Sequence, residues 1–179
     1  MIVTISGKPG SGKSTAGRRL ARFFDMDHMS AGDFMREMAV ERGSSVLELS
    51  GVAETDGGLI DREIDERTRR LGETDDGFLI DSRLAWHFIP SSVKVFLDVS
   101  LEIATARIFG ARRGSESENT DLLATSSAIE RRLASETQRY QGYYGIDWLD
   151  PRHYDLVVDT SELSLSAVVA EVAAFISAR

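Results

Sequence analysis

The sequence predicts a doubly wound α/β domain, a parallel sheet with helices on both faces, and three observations lead there. Short apolar runs rich in β-branched residues, at 2–5, 78–80, 93–97 and 156–158, alternate with stretches carrying apolar residues at three- and four-residue spacings. Neighbouring parallel strands need a crossover connection, which a helix commonly supplies. A glycine-rich turn sits between the first run and the first helical stretch, where such folds bind phosphate. The 179 residues contain only three prolines and no repeat or low-complexity tract, which suits one domain with insertions better than two domains on a linker.

Taken in order, the runs at 2–5, 78–80, 93–97 and 156–158 are short and continuous, and each is expected to be a strand buried on both faces. Helices are expected over 18–24, 34–42, 60–71, 101–112, 122–140 and 165–176, where the spacing gathers apolar residues on one face. Two stretches are too long and too polar for simple crossovers. Residues 30–77 hold three helical patterns broken by Gly43, Gly51 and Gly57-Gly58. Residues from about 110 to 148 open with Arg112-Arg113-Gly114-Ser115-Glu116 and contain a long helix of mixed charge. Both are expected as helical insertions over one edge of the sheet, within a single domain 1–179. Phe34, Met35 and Met38 are expected in the core.

Composition narrows the function. Hydrophobic residues make up 42% of the chain and charged residues 28%, which excludes wholesale disorder and fibrous repeats. The absence of cysteine removes disulfide scaffolds, cysteine nucleophiles and thiolate metal sites. With 21 Lys+Arg against 29 Asp+Glu the net charge is −8, so bulk attraction to nucleic acid or anionic membrane is excluded and an anionic ligand needs a local basic site. No apolar run approaches the roughly 18–20 residues of a membrane-spanning helix. Residues 1–6 lack the basic start and long apolar stretch of a signal peptide, so a cytoplasmic location is expected.

The strongest chemical signal is Gly7-Lys8-Pro9-Gly10-Ser11-Gly12-Lys13-Ser14, which satisfies the phosphate-loop pattern G-x-x-x-x-G-K-[ST] between a predicted strand and a predicted helix. The glycines let successive N–H groups turn inward on a phosphate, and the helix adds its positive end. Lys13 is expected on the β- and γ-phosphates of a nucleoside triphosphate and the Ser14 hydroxyl on Mg²⁺, with Thr15 beside them. A glycine-rich turn with no ligand is the bland alternative, and the context makes it a poor one.

Other residues bear on what accepts the phosphoryl group. Arg36 lies one turn into a helix that starts near Ser30 and Gly32, placed to grip a second anion or simply solvated. Asp81 and Arg83 follow the run 78–80, at the carboxyl end of a strand where open α/β sheets place ligands. Asp81 could support Mg²⁺ through water and Arg83 an acceptor phosphate, or the two could only pair with each other. Arg132, Glu136 and Arg139 share a helix face, as an anion clamp or as a solvated salt-bridge pattern. Arg107, Arg112 and Arg113 add positive charge upstream. His28, His87 and His153 are scattered and read as structural or exposed. Residues 142–148 are aromatic enough to stack on a base, and packing explains them equally well.

These residues together resemble the nucleoside monophosphate kinases, and most closely their archaeal-type cytidylate kinases. The resemblance runs from the loop at 5–14 through Ser30-Ala-Gly-Asp33 with Arg36, Ile60-Asp61-Arg62, Asp65-Glu66-Arg67 and Asp81-Ser82-Arg83-Leu84-Ala85. It continues through Phe96-Leu97-Asp98, Arg107, Arg132 to Tyr140, Tyr144 to Asp147 and Tyr154 to Ser161. It implies a P-loop three-layer α/β/α fold with a five-stranded parallel sheet, an acceptor-binding insertion at 30–77 and a lid at 110–148. It also implies the reaction ATP + CMP (or dCMP) ⇌ ADP + CDP (or dCDP), with Mg²⁺. Lys13 and Ser14 would then hold ATP·Mg²⁺, with Arg107 and Arg112 on the nucleotide. Ser30, Gly32, Arg36 and Arg83 would hold the monophosphate, and Arg132 and Arg139 would close over the transferring group. Asp81-Ser82-Arg83 stands where the archaeal pattern has Glu-Gly-Arg, and Leu84 where bacterial-type enzymes carry a cytosine-binding aspartate. Base recognition then falls to Asp61 or Arg62. Kinases for AMP or UMP, or an ATP-dependent switch or RNA-maturation factor, are the alternatives. The expected partners are small-molecule nucleotides without nucleic acid or membrane, with the chain acting as a monomer.

Overall fold

A computed structural model describes residues 1–53, 56–111 and 121–179, and within these not the side chains at 47, 50, 51 and 53. Its strands are β1 (Val3–Gly7), β2 (Asp27–Ser30), β3 (Phe78–Asp81), β4 (Val93–Asp98) and β5 (Leu156–Asp159), in one five-stranded sheet ordered β2-β3-β1-β4-β5. The helices are α1 (Lys13–Phe23), α2 (Ala31–Glu41), α3 (Val46–Ala53), α4 (Leu59–Thr74), α5 (Ala85–Phe88), α6 (Leu101–Ala111), α7 (Leu122–Tyr144) and α8 (Leu165–Ser177). The chain divides into two compact units, Met1–Ser6 with Gly17–Lys94, and Gly7–Ala16 with Val95–Arg179.

In the first unit β3 pairs in parallel with both β1 and β2, setting Ile5 and Ser30 opposite Asp81. Every residue of β1 and β3 is buried, as continuous apolar runs require in strands covered on both faces. Strand β2, Asp-His-Met-Ser, has no apolar run and escapes that test. It lies at the sheet edge, only partly buried, where polar residues cost little. Helices α2, α3 and α4 follow it around a cluster of Met38, Ala39, Leu49, Ile60 and Ile64, with Phe34 and Met35 packed partly buried against it. Gly51 does not break a helix as expected: α3 runs through it to Ala53. A helical glycine costs only about 1 kcal/mol, which burial of Leu49 from the same helix can offset. Asp56 caps α4, its carboxylate accepting from the N–H groups of Gly58, Leu59 and Ile60.

In the second unit β4 and β5 pair in parallel, with Val95 opposite Leu156 and Asp98 opposite Asp159. Strand β5 departs from the expected burial on both faces, since Val158 is buried while Val157 is 41% exposed. It is the other edge of the sheet, and one apolar side chain on the wet face is tolerable there. Val99, Ala104 and Ile129 join α6 to α7, with Ile103, Ile108 and Leu133 around them. Trp148 is fully buried beside Phe96 and Tyr140, donates its Nε1–H to Thr137 Oγ1 at 3.2 Å and accepts at its carbonyl from Tyr154 Oη at 2.6 Å. Of the two readings of 142–148, packing therefore holds for Trp148. Among the described residues no helix is long and apolar enough to cross a membrane.

Candidate active site

The turn between β1 and α1 follows from its glycines and its carbonyl contacts. A Cβ on Gly7 would stand 2.4 Å from Leu97 O, and one on Gly10 would meet Ala104 Cα at 2.8 Å, with Gly10 at φ +79°. No side chain fits either place. Lys8 N–H donates to Leu97 O and Ser11 N–H to Lys8 O, each at 3.2 Å. Gly12 O accepts from Thr15 N and Ala16 N at 3.0 and 2.9 Å, which starts α1 at Lys13. The first N–H groups of a helix point along its axis and favour an anion. Pro9 and Ser11 are buried, Lys13 and Ser14 half-buried, Gly12 and Thr15 exposed. Lys8 Nζ is held by Asp98 Oδ1 at 2.6 Å.

Arg107, from α6, lies against this turn. Its Nη1 donates to Gly10 O at 3.3 Å and to Thr160 Oγ1 at 3.1 Å, and its Nη2 to Thr160 O at 2.6 Å. Next to Thr160, the Asp159 carboxyl is held below its ordinary value by hydrogen bonds from Ser161, with smaller help from Lys8 and Arg107. On α7, exposed Arg132 donates from Nε to Oε1 of buried Glu136 at 3.0 Å. Half-buried Arg139 lies 6.0 Å from the Tyr140 ring centroid. Arg112 and Arg113 lie outside the described residues, as does 112–120 of the expected lid.

In the first unit Ser30 ends β2 and caps α2, accepting from Asp33 N–H at 3.1 Å and donating to Asp33 Oδ2 at 2.7 Å. Arg36, 62% exposed, pairs with Asp33 Oδ1 one turn back. Partial burial pushes the Asp33 carboxyl up, but hydrogen bonds from Ser30 and Arg36 outweigh it and hold the group below its ordinary value. Gly32 is exposed at the start of this turn. Asp81, 5% exposed at the end of β3, is 3.0 Å from His28 Nε2 through Oδ2. Arg83 is also buried, its carbonyl fixed by Ser6 Oγ at 2.8 Å and Trp86 Nε1 at 3.1 Å. Leu84 is 2% exposed. In α4, Asp61 is half-buried, and Arg62 is exposed with its Nη2 on Gly57 O at 3.0 Å.

Sequence reasoning gave no site role to Asp33, His28 or Thr160. Asp33 had a signal, since Ser30-x-x-Asp33 is a capping-box pattern. His28 stands 53 residues from Asp81 and Thr160 53 from Arg107, and only the strand pairing and the packed helix bring them together.

A phosphate-loop turn between β1 and α1 of a five-stranded parallel sheet with helices on both faces defines a P-loop kinase fold of three layers. The structure is similar to a shikimate kinase from Bacteroides thetaiotaomicron, with TM-score 0.70 and 15% identity over 99% of this chain and 98% of that one, a likeness of fold. The chain belongs to the cytidylate kinase-like family, whose model matches residues 2–162. It is 39% identical to a cytidylate kinase of Methanocorpusculum labreanum over 99% of this chain and 97% of the relative. It is equally 39% identical to one of Haloquadratum walsbyi, over 90% of this chain and 81% of the relative.

Proposed function

We propose that this protein is a cytidylate kinase, which moves the γ-phosphoryl group of ATP to CMP or dCMP and yields ADP with CDP or dCDP. The observation that carries the reading is the phosphate loop at 7–14 in a chain matched to this family from residue 2 to residue 162. In the transfer an oxygen of the CMP phosphate bonds to the γ-phosphorus as the bond to the β-phosphate's bridging oxygen breaks. Positioning and neutralisation of charge then do nearly all that the protein must do.

Residues 7–15 hold the triphosphate, with the ammonium of Lys13 on its β- and γ-oxygens. Ser30, Gly32, Arg36 and Arg83 take the monophosphate, two guanidiniums suiting its oxygens. Arg132 and Arg139 lie on a lid spanning 110–148 and neutralise the transferring group, with buried Glu136 orienting Arg132. The Ser14 hydroxyl and, through water, the Asp81 carboxylate would be the groups to hold Mg²⁺, hard oxygens of the kind that ion takes. Mg²⁺ would offset the negative charge on the phosphates. His28 fixes the Asp81 carboxylate, as its 3.0 Å contact supports.

Buried Leu84 leaves no side chain for the base at that position, so Asp61 and Arg62 are the proposed base contacts. The same reading makes the chain a cytoplasmic monomer acting on small-molecule nucleotides. Steady-state ADP release with CMP, dCMP, AMP and UMP tests it: CMP and dCMP should give the highest kcat/KM. A preference for AMP or UMP, or ATP turnover independent of every monophosphate, would contradict it.

A further inference from the structure

We infer that Ser6 and Trp86 set the aim of Arg83 by fixing the two peptide planes that flank its Cα, so that both act as positioning residues for the acceptor phosphate. This rests on the reading of Arg83 as a monophosphate contact and adds residues that act through it. The ladder between β1 and β3 closes with Ile5 opposite Asp81, and Ser82 N–H then donates to Ile5 O at 3.1 Å. Beyond that bond a side chain takes over from the backbone. The fully buried Ser6 hydroxyl donates its one proton to two consecutive carbonyls, Ser82 O at 2.9 Å and Arg83 O at 2.8 Å, a three-centre arrangement. Arg83 O accepts a second time, from Trp86 Nε1 on α5 at 3.1 Å, as the two lone pairs of a carbonyl allow.

Those carbonyls belong to the peptide units on either side of Arg83 Cα. Each unit is planar, so the course of the chain through a residue rests on two soft dihedrals, φ and ψ. Turning both C=O groups onto one hydroxyl fixes both angles of Arg83. The angles in turn decide where its Cα–Cβ bond points and which rotamers its side chain can take. Regular structure does not supply this, since Arg83 lies between the end of β3 at Asp81 and the start of α5 at Ala85. A guanidinium that grips phosphate oxygens in pairs needs such an aim, because the fork must meet them in its own plane. Ser82, Arg83 and Trp86 are only 7%, 8% and 7% exposed, so a carbonyl that loses its donor here is costly to leave unmet. Without the Ser6 hydroxyl the segment must turn toward another donor, and the guanidinium turns with it.

Steady-state kinetics with CMP and ATP on wild type, S6A, W86F, R83M and the double variants S6A/R83M and W86F/R83M, each beside its Tm, test the brace. S6A should raise KM for CMP about tenfold and W86F about threefold, the scale of ordinary hydrogen bonds, while KM for ATP stays within about twofold. R83M removes the guanidinium and keeps most of the bulk of its stem. In that background S6A and W86F should change KM for CMP by less than about twofold, because their effect passes through the missing group. A purely structural role would lower Tm and leave both KM values alone. That result, or an S6A effect on CMP that persists undiminished in R83M, would overturn the brace. Should S6A not fold, W86F against W86F/R83M decides in the same way. R83M with wild-type KM for CMP would instead overturn the acceptor reading of Arg83 beneath the proposal.

Discussion

The phosphate loop and the Ser30–Asp33–Arg36 turn are both candidate anion sites, yet they are built from different material. The loop is shaped by backbone: the N–H groups of Lys8 and Ser11 go to the carbonyls of Leu97 and Lys8, and Gly12 O takes those of Thr15 and Ala16, while Gly7 and Gly10 stand where any side chain would collide. The turn is shaped by side chains, with Asp33 joining the Ser30 hydroxyl to the Arg36 guanidinium. A backbone site recognises phosphate in any nucleotide, because N–H groups carry no information about base or sugar. A side-chain site can be tuned one residue at a time. Selectivity between acceptors therefore belongs with the second kind.

That contrast can be broken at several points. The largest effect is expected at Lys13, which adds a side-chain cation to the backbone site. Lys13→Ala should lower kcat/KM by about a thousandfold or more with the wild-type Tm kept, as coupled assay and thermal melting would check. Near-wild-type turnover would separate the loop from catalysis. Arg132→Ala or Arg139→Ala should come next, lowering kcat on the order of a hundredfold while ATP affinity stays close to wild type, because the proposed contacts form on the way to transfer. Equal loss of ATP affinity in a binding titration would make them ground-state contacts.

A smaller effect separates the side-chain turn from the loop by pH. Asp33 ionises below its ordinary value of 3.8 in the folded chain, so it contributes stability that is complete above that pH and disappears as pH falls through the lowered value. Asp33→Asn should therefore lower Tm at neutral pH and flatten the acid limb of a Tm-against-pH curve below about pH 4. An acid limb identical to wild type would mean that the pairing with Ser30 and Arg36 does not persist in solution.

The same contrast explains what could be read in the sequence. A backbone site leaves a dense signature, since glycines must recur at fixed offsets, and strands β1, β3 and β4 announce themselves through continuous apolar runs. The edge strands divide: β5 was legible from its run at 156–158, although Val157 is exposed, whereas β2 reads Asp-His-Met-Ser and was not, because an edge needs less apolar cover. The short helix α5 spans only four residues, too few to establish a period. Side-chain sites are assembled across the chain. Nothing local in the sequence ties His28 to Asp81, and Arg107 reads as one arginine among several until its three hydrogen bonds to Gly10 and Thr160 are seen.

The central claim is that donor and acceptor are bound by separate sites, one of backbone and one of side chains. The most direct test compares KM for CMP and KM for ATP in Arg36→Ala, beside its Tm. Arg36 is exposed and paired only with Asp33 among the contacts described for it, so the fold should tolerate its loss. KM for CMP should rise about tenfold or more, the scale of a lost charged hydrogen bond, while KM for ATP stays within about twofold. An equal rise for both substrates, or no change for CMP, would contradict it.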